Sequence, residues 1–260
     1  MNLVYQTASW RTIIFSATVG FLSAAQALAA LSATELVDKS NELLRGQSSH
    51  ARVTIQITTP RWQRTLDVEV WNQGRAKALM RVHSPIKERG NGTLRIDKEI
   101  WNWLIEVERT LKIPPSMLQT SWMGSDFTFD DMIKSDSIVK DYTHNILEET
   151  KEGNKTIYKI EAVPMPEAPV VWGKVLLTLE EEDGRVLPLE EEDYSERGVH
   201  MRTLRFSSIK EMGGRIIPTK LECIPHKRPG QKTVILYKQF DVDVPFDEDF
   251  FGLSTLQKPL

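Results

Sequence analysis

The chain has 260 residues, with 33 Lys and Arg against 36 Asp and Glu, for a net charge of −3. An acid-leaning balance excludes a nucleic-acid partner, which needs a basic surface to neutralise phosphates. A single cysteine, Cys223, excludes any intrachain disulfide, so stability has to come from packing and strand pairing.

The first element is a leader. Residues 1–29 carry one charge, Arg11, then an apolar run broken by Ser16, Thr18, Ser23 and Gln26, too short and too polar for a good membrane span. The run closes on Ala27-Leu28-Ala29, a small-x-small cleavage pattern, so residues 1–29 read as a secretory signal peptide. No cysteine stands at the cut to be acylated, so residues 30–260 are expected to be exported without a lipid anchor. That length suits one large all-β domain or two small ones.

A helix is expected over Thr34–Arg45, capped by Ser32 or Thr34, with Leu36, Val37, Leu43 and Leu44 as its apolar stripe and Gly46 as its stop. Alternation then takes over. Val53, Ile55 and Ile57 share one side, and Leu66, Val68 and Val70 repeat the pattern before the turn Asn72-Gln73-Gly74. Further strands are expected at Ala76–Val82, Gly92–Ile96, Glu99–Ile105 and Thr110–Ile113. The alternation lapses over residues 114–135 and resumes at Tyr142–Glu149, Thr156–Ala162 and Val171–Glu181. Asp183-Gly184 joins the near-repeats Leu179–Asp183 and Leu189–Asp193 as a long hairpin with acidic rims. Val199–Lys210, Arg215–Ile224 and Thr233–Val242 complete the set, and Phe246–Phe251 reads as a short helical turn. Roughly ten such strands with short turns predict a single antiparallel sheet, strongly curved or partly closed, its open side plugged by the first helix and the irregular segment.

No catalytic set emerges. The five histidines, His50, His83, His144, His200 and His226, are far apart in sequence with no ligand spacing, so no metal is expected. Cys223 has no CxxC partner and reads as a buried structural thiol, and Gly213-Gly214 reads as a hairpin and not a phosphate loop. The acidic runs Glu180–Asp183 and Glu190–Asp193 lack calcium-loop spacing and read as solvated edge charges. An enzyme and a cofactor are therefore not expected. What remains is the stretch 101–133: Trp101 and Trp103 on one face of a strand, Met117, Leu118, Trp122 and Met123 in an irregular loop, and Phe127, Phe129 and Met132 spaced along a short helix. Loops normally run over wetted surface, so one this apolar reads equally as core or as an adaptable apolar binding surface.

The same residues carry a family resemblance. Arg81-Val82-x-Ser84-Pro85-x-Lys87-x-Arg89-Gly90-x-Gly92-Thr93, Ile100-Trp101-Asn102-Trp103-Leu104, Arg109-Thr110-Leu111-Lys112-Ile113 and, most specifically, Met123–Met132 (MGSDFTFDDM) resemble the outer-membrane lipoprotein-sorting, LolA-like family. So do Phe206-Ser207-Ser208-Ile209 and Gly213–Thr219. The chain departs from the family at Trp103, where Tyr is more usual, and at Lys112, where Arg is. The resemblance implies a LolA-like incomplete (half) β-barrel covered by helices over residues 30–260, located in the periplasm, whose apolar interior takes lipoprotein acyl chains or other lipids. Trp101, Trp103, Met117, Leu118, Trp122, Met123, Phe127, Phe129 and Met132 are then the expected lining and lid. An inner-membrane transporter is the implied partner, and an accessory module that docks such a transporter without cargo is the alternative.

Overall fold

The structure, a computed structural model, describes residues 1, 31–134 and 136–260. The expected signal peptide therefore lies outside the described residues except for Met1. Ser32 caps the first helix, α1 (Ala33–Glu42), through a capping box: its Oγ accepts from the Glu35 N–H at 3.3 Å, and its own N–H donates to Glu35 Oε2 at 2.8 Å. Leu36 and Val37 are its buried face. The helix is shorter than its sequence pattern; Leu43–Arg45 form a turn, and Gly46, at φ +61°, takes the chain into the sheet.

Alternating apolar residues then build β1 (Ser48–Thr58), β2 (Gln63–Gln73), β3 (Lys77–Ser84), β4 (Gly92–Ile96), β5 (Glu99–Leu104) and β6 (Arg109–Lys112). An irregular stretch follows, with single 3-10 turns at Pro115–Met117 and Trp122–Gly124 and short helices α2 (Phe129–Ile133) and α3 (Ser137–Lys140). The chain returns to strand as β7 (Tyr142–Glu152), β8 (Lys155–Pro164), β9 (Lys174–Glu182), β10 (Arg185–Tyr194), β11 (His200–Met212), β12 (Arg215–Pro225) and β13 (Lys232–Val242). The last helix, α4, is Leu253–Gln257; Phe246–Phe251, expected as helix, is a non-helical run of turns whose rings pack on the sheet instead. Among the described residues no helix is long and apolar enough to cross a membrane.

The thirteen strands form one antiparallel sheet in the order β6-β5-β4-β3-β2-β1-β13-β12-β11-β10-β9-β8-β7. Successive strands pair as hairpins on both sides, and β1 pairs with β13, from Ser49 opposite Val242 to Thr58 opposite Lys232. The β6 to β7 connection therefore starts at one edge of the sheet and ends at the other, so the irregular stretch has to cross a face. Gly213 shows how closely the β11–β12 turn approaches β13: a Cβ there would sit 2.3 Å from the Phe240 carbonyl oxygen, and its φ is +57°.

Both faces of β2–β5 are covered. On the inner face Ala51, Val53, Ile55, Leu66, Val68, Val82 and Ile100 pack with Trp122, Phe129, Ile217 and Phe240. Further along that face α1 contributes Leu36 and Val37 to a cluster with Tyr158, Ile160, Val175, Leu177 and Leu179. The alternate residues of β2–β5, including Trp71, Leu79, Leu94, Trp101 and Trp103, meet Phe246, Phe250, Phe251 and Leu256 of the C-terminal segment on the outer face. Arg81 fastens that segment by donating to the carbonyls of Thr255, at 3.0 Å, and Lys258.

Candidate functional site

The inner face is not filled to native density everywhere. A cavity of about 340 Å³ lies under α1, lined by Val37, Leu44, Val70, Met80, Met132, Leu177, Leu179, Phe206 and Tyr237. Residues of β2–β4 and of β9–β11 thus face the same space. A second cavity of about 220 Å³ shares Leu44, Val70, Met80, Met132 and Tyr237 with it and adds Phe127 and Trp122. A third, about 230 Å³, opens beside Phe127, Trp172, Glu191 and Arg202. Volumes of a few hundred Å³ are those of small-molecule sites, and the apolar side chains suit a hydrocarbon ligand, although polar residues such as Asn41, Arg95 and Glu191 share the lining of the first cavity.

The nine residues expected from sequence separate into four groups. Phe127 and Met132 line cavities. Trp122 lines one too, yet it is 4% exposed and fixed by its Nε1–H to Thr93 Oγ1 at 2.9 Å, and Phe129, 5% exposed, belongs to the main core; Leu118 and Met123 pack against that core. Trp101 and Trp103 do share a face, but it is the outer one, beneath the C-terminal segment and away from the cavities. Met117 is 45% exposed. Conversely, Leu44, Met80, Leu177, Leu179, Phe206 and Tyr237 line the cavity without having been singled out. For the strand residues among them the sequence signal is the alternation itself, which gives the same period to residues facing packed core and residues facing a void, and Leu44 belongs to the apolar stripe of the first helix.

The segment from Trp122 to Ile133 is held by polar ties. Asp126 accepts from Thr233 Oγ1 and Gln231 Nε2, both at 2.8 Å, and pairs with Arg228 at 3.2 Å; its own N–H donates to Thr233 Oγ1. Burial raises its pKa against those contacts. Asp131 caps α2 by accepting from the Thr128 N–H at 2.7 Å and also receives both Nη groups of Arg202, at 2.8 and 3.0 Å. Arg202 Nε reaches Asp193 at 2.5 Å. The acidic run 190–193 is therefore not a solvated edge: Asp193 is fully buried, and Glu191 lines the cavities. Burial pushes Glu191 up to about 8 and also raises Asp193. Since Asp193 Oδ2 holds the Arg202 guanidinium, the proton of the pair belongs to Glu191, and Asp193 Oδ1, otherwise unpartnered, is the acceptor for it.

The histidines, far apart in sequence, meet in two places. His50 and His83 each lie 2.7 Å from Glu69, and the His200 and His226 rings are 4.0 Å apart. Among the described residues no group of His, Cys, Asp and Glu is arranged to hold a metal ion. Cys223 is buried, and burial pushes its thiol up to about 12, the reverse of what a nucleophile needs.

A single antiparallel sheet of thirteen strands, with helices and a crossing segment over cavities on one face, has the fold of the LolA superfamily. The chain is similar to a DUF1329 family protein from Desulfovibrio piger (TM-score 0.76, 18% identity, 86% of this chain and 98% of that one). It is similar to a LolA superfamily protein from Nitrosomonas europaea (TM-score 0.69, 20% identity, 86% and 98%) and to an outer membrane lipoprotein-sorting protein domain from Vibrio parahaemolyticus (TM-score 0.69, 18% identity, 87% and 98%). No curated protein matches the chain. Residues 74–258 match a family described as "uncharacterized protein"-like, and the chain belongs to that family.

Proposed function

We propose that this protein is a non-enzymatic periplasmic carrier that holds the acyl chains of lipoproteins or other lipids in the inner-face cavities for envelope transport. Residues 1–29 serve as its export signal, and residues 30–260 act as one domain wrapped as an incomplete barrel. The observation that carries the reading is the 340 Å³ cavity lined by apolar side chains from α1, α2 and both halves of the sheet. Each methylene moved from water into such a lining gains about 0.8 kcal/mol, so a hydrocarbon chain binds there without directional chemistry. The covering side chains, Leu44 in the turn after α1 and Met132 on α2 among them, exchange contacts with the acyl chain as it enters.

Mass spectrometry of organic extracts from protein purified out of the periplasm is the test. Co-purified lipid, together with displacement of a fluorescent acyl probe, is the expected result. A clean protein that takes up no probe sinks the reading. The second reading, an accessory module docking an envelope transporter, is favoured by β7, an edge strand of 11 residues exposed along most of its length and free to pair with a partner strand. Capture of a membrane transporter by lipid-free protein, lost on placing proline in β7, would select it.

A further inference from the structure

The turns at one end of the sheet carry a surface that the cavities do not explain. Because the strands alternate in direction, and Thr58 at the end of β1 lies opposite Lys232 at the start of β13, the β1–β2, β3–β4 and β12–β13 turns emerge together. They also touch. A Cβ on Gly230 would lie 3.4 Å from Pro60, and Arg64, just past the β1–β2 turn, pairs with Glu88 of the β3–β4 turn at 2.7 Å. Arg64 donates to the Met123 carbonyl as well, and a Cβ on Gly124 would lie 3.6 Å from the Trp62 ring, so the crossing segment backs the same surface.

Two large apolar side chains stand out of it: Ile86, 90% exposed, on the β3–β4 turn, and Trp62, 44% exposed, on the β1–β2 turn. The β3–β4 turn is closed by its own backbone, Glu88 N–H donating to the Pro85 carbonyl and Gly90 N–H to the Val82 carbonyl, both at 2.9 Å. Ile86 is therefore held in water by a built turn. Around these two, Arg61, Lys87, Arg89 and Lys227 are exposed and, among the described residues, have no ion-pair partner. Arg228 and Lys232 are matched by Asp126 and Glu222. The cationic surface ends at the β5–β6 turn, where Ile105 lies against Gly90 and Glu106 and Glu108 are exposed. In a chain of net charge −3 the three turns are a local reversal of sign.

We propose that this end of the sheet docks on an anionic phospholipid bilayer, with Ile86 and Trp62 entering the head-group layer and Arg61, Lys87, Arg89 and Lys227 against lipid phosphates. Indole and aliphatic side chains among cations suit that interface, where each Lys or Arg near an anionic surface adds about fivefold in affinity. The apolar tips stand on separate protruding turns, a form suited to a deformable surface rather than to a peptide. Behind the β12–β13 turn lies a cavity of about 130 Å³, lined by Lys227, Arg228 and Trp172, which shares Trp172 and Arg202 with the 230 Å³ cavity. Docking at this end sets the interior space beside the bilayer. Such docking is independent of what the cavities hold and so goes beyond the carrier reading.

The test is co-sedimentation of the purified protein with vesicles of phosphatidylcholine alone and of equal parts phosphatidylcholine and phosphatidylglycerol. The protein should bind the anionic vesicles, leave the neutral ones, and be released by high salt. Lys87→Gln with Arg89→Gln should weaken binding roughly thirtyfold. Ile86→Ser should weaken it too with an unchanged melting temperature, since that side chain packs against nothing in the fold. Lys210→Gln, an exposed cation near the opposite end of the sheet, should leave binding unchanged. Brominated acyl chains in the vesicles should quench tryptophan emission, and Trp62→Phe should remove most of that quenching while binding persists. No binding to anionic vesicles overturns the docking surface, and so does a loss from Lys210→Gln equal to that from the double substitution. Binding that survives both the double substitution and Ile86→Ser places the contact elsewhere and overturns it as well. Salt-sensitive vesicle binding by a protein that takes up no acyl probe would sink the carrier reading and leave the docking surface standing.

Discussion

Phe127 and Trp122 lie in one segment, and their surroundings set them apart. Trp122 is packed and hydrogen-bonded to Thr93, Phe129 is in the main core, and Phe127 borders two cavities. Trp122→Ala and Phe129→Ala should each cost about 3–5 kcal/mol by urea denaturation. Phe127→Ala, which enlarges an existing void, should cost less and weaken acyl-probe binding. Sequence could not separate them, because an aromatic beside a void and an aromatic in a core follow the same spacing. Glu191 was equally hidden, since its acidic run looks like a solvated rim until the strand is placed over the cavity. Its folded pKa is raised from an ordinary 4.5 to about 8. The stabilisation linked to its proton is therefore complete below pH 4.5 and lost as pH rises through about 8. Glu191→Gln, which mimics the protonated form, should match the wild-type protein at pH 5 and melt above it at pH 9. Identical melting profiles across that range would mean Glu191 is ionised in the fold.

At the scale of elements, strands were legible because one apolar face gives a strict period of two, and α1 because Ser32 and Glu35 spell its capping box. The count of strands fell short of thirteen, and of the segment between β6 and β7 only the short helix carrying Phe129 and Met132 was legible, because tertiary ties shape the rest. Its α2 has five residues and too few internal hydrogen bonds to persist alone. What holds it is Asp131, which caps the helix and takes both Nη groups of Arg202. Asp131→Asn keeps the shape and removes the charge, weakening bonds worth about 1.5–3 kcal/mol each. Amide exchange over residues 126–134 should accelerate in this variant while β1 and β13 stay protected. Uniform acceleration across the sheet would show instead that α2 and the sheet open as one unit.

For the molecule as a whole, the decisive property is that β2–β5 are apolar on both faces with different occupants. The inner occupants leave cavities; the outer ones, Phe246, Phe250, Phe251 and Leu256, pack against Trp71, Leu79, Leu94, Trp101 and Trp103. The paired tryptophans looked like part of a binding surface because sequence reveals that two residues share a face and is silent on which face. A segment of some 15 residues at the far end of the chain decides it, through contacts whose partners no local pattern connects. If the outer cluster is purely structural, damage there should leave the cavities unchanged. Phe251→Ala should lose about 3–5 kcal/mol, since the ring is 5% exposed among three other aromatic or aliphatic partners of the same segment. Its acyl-probe affinity, measured on the folded protein, should equal that of the wild type. In combination with Phe127→Ala the two losses should add to within about 0.5 kcal/mol, because the clusters they belong to share no residue. Strong non-additivity, or a fall in probe affinity from Phe251→Ala alone, would mean the sheet transmits packing from one face to the other. The C-terminal segment would then set the width of the cavity from behind.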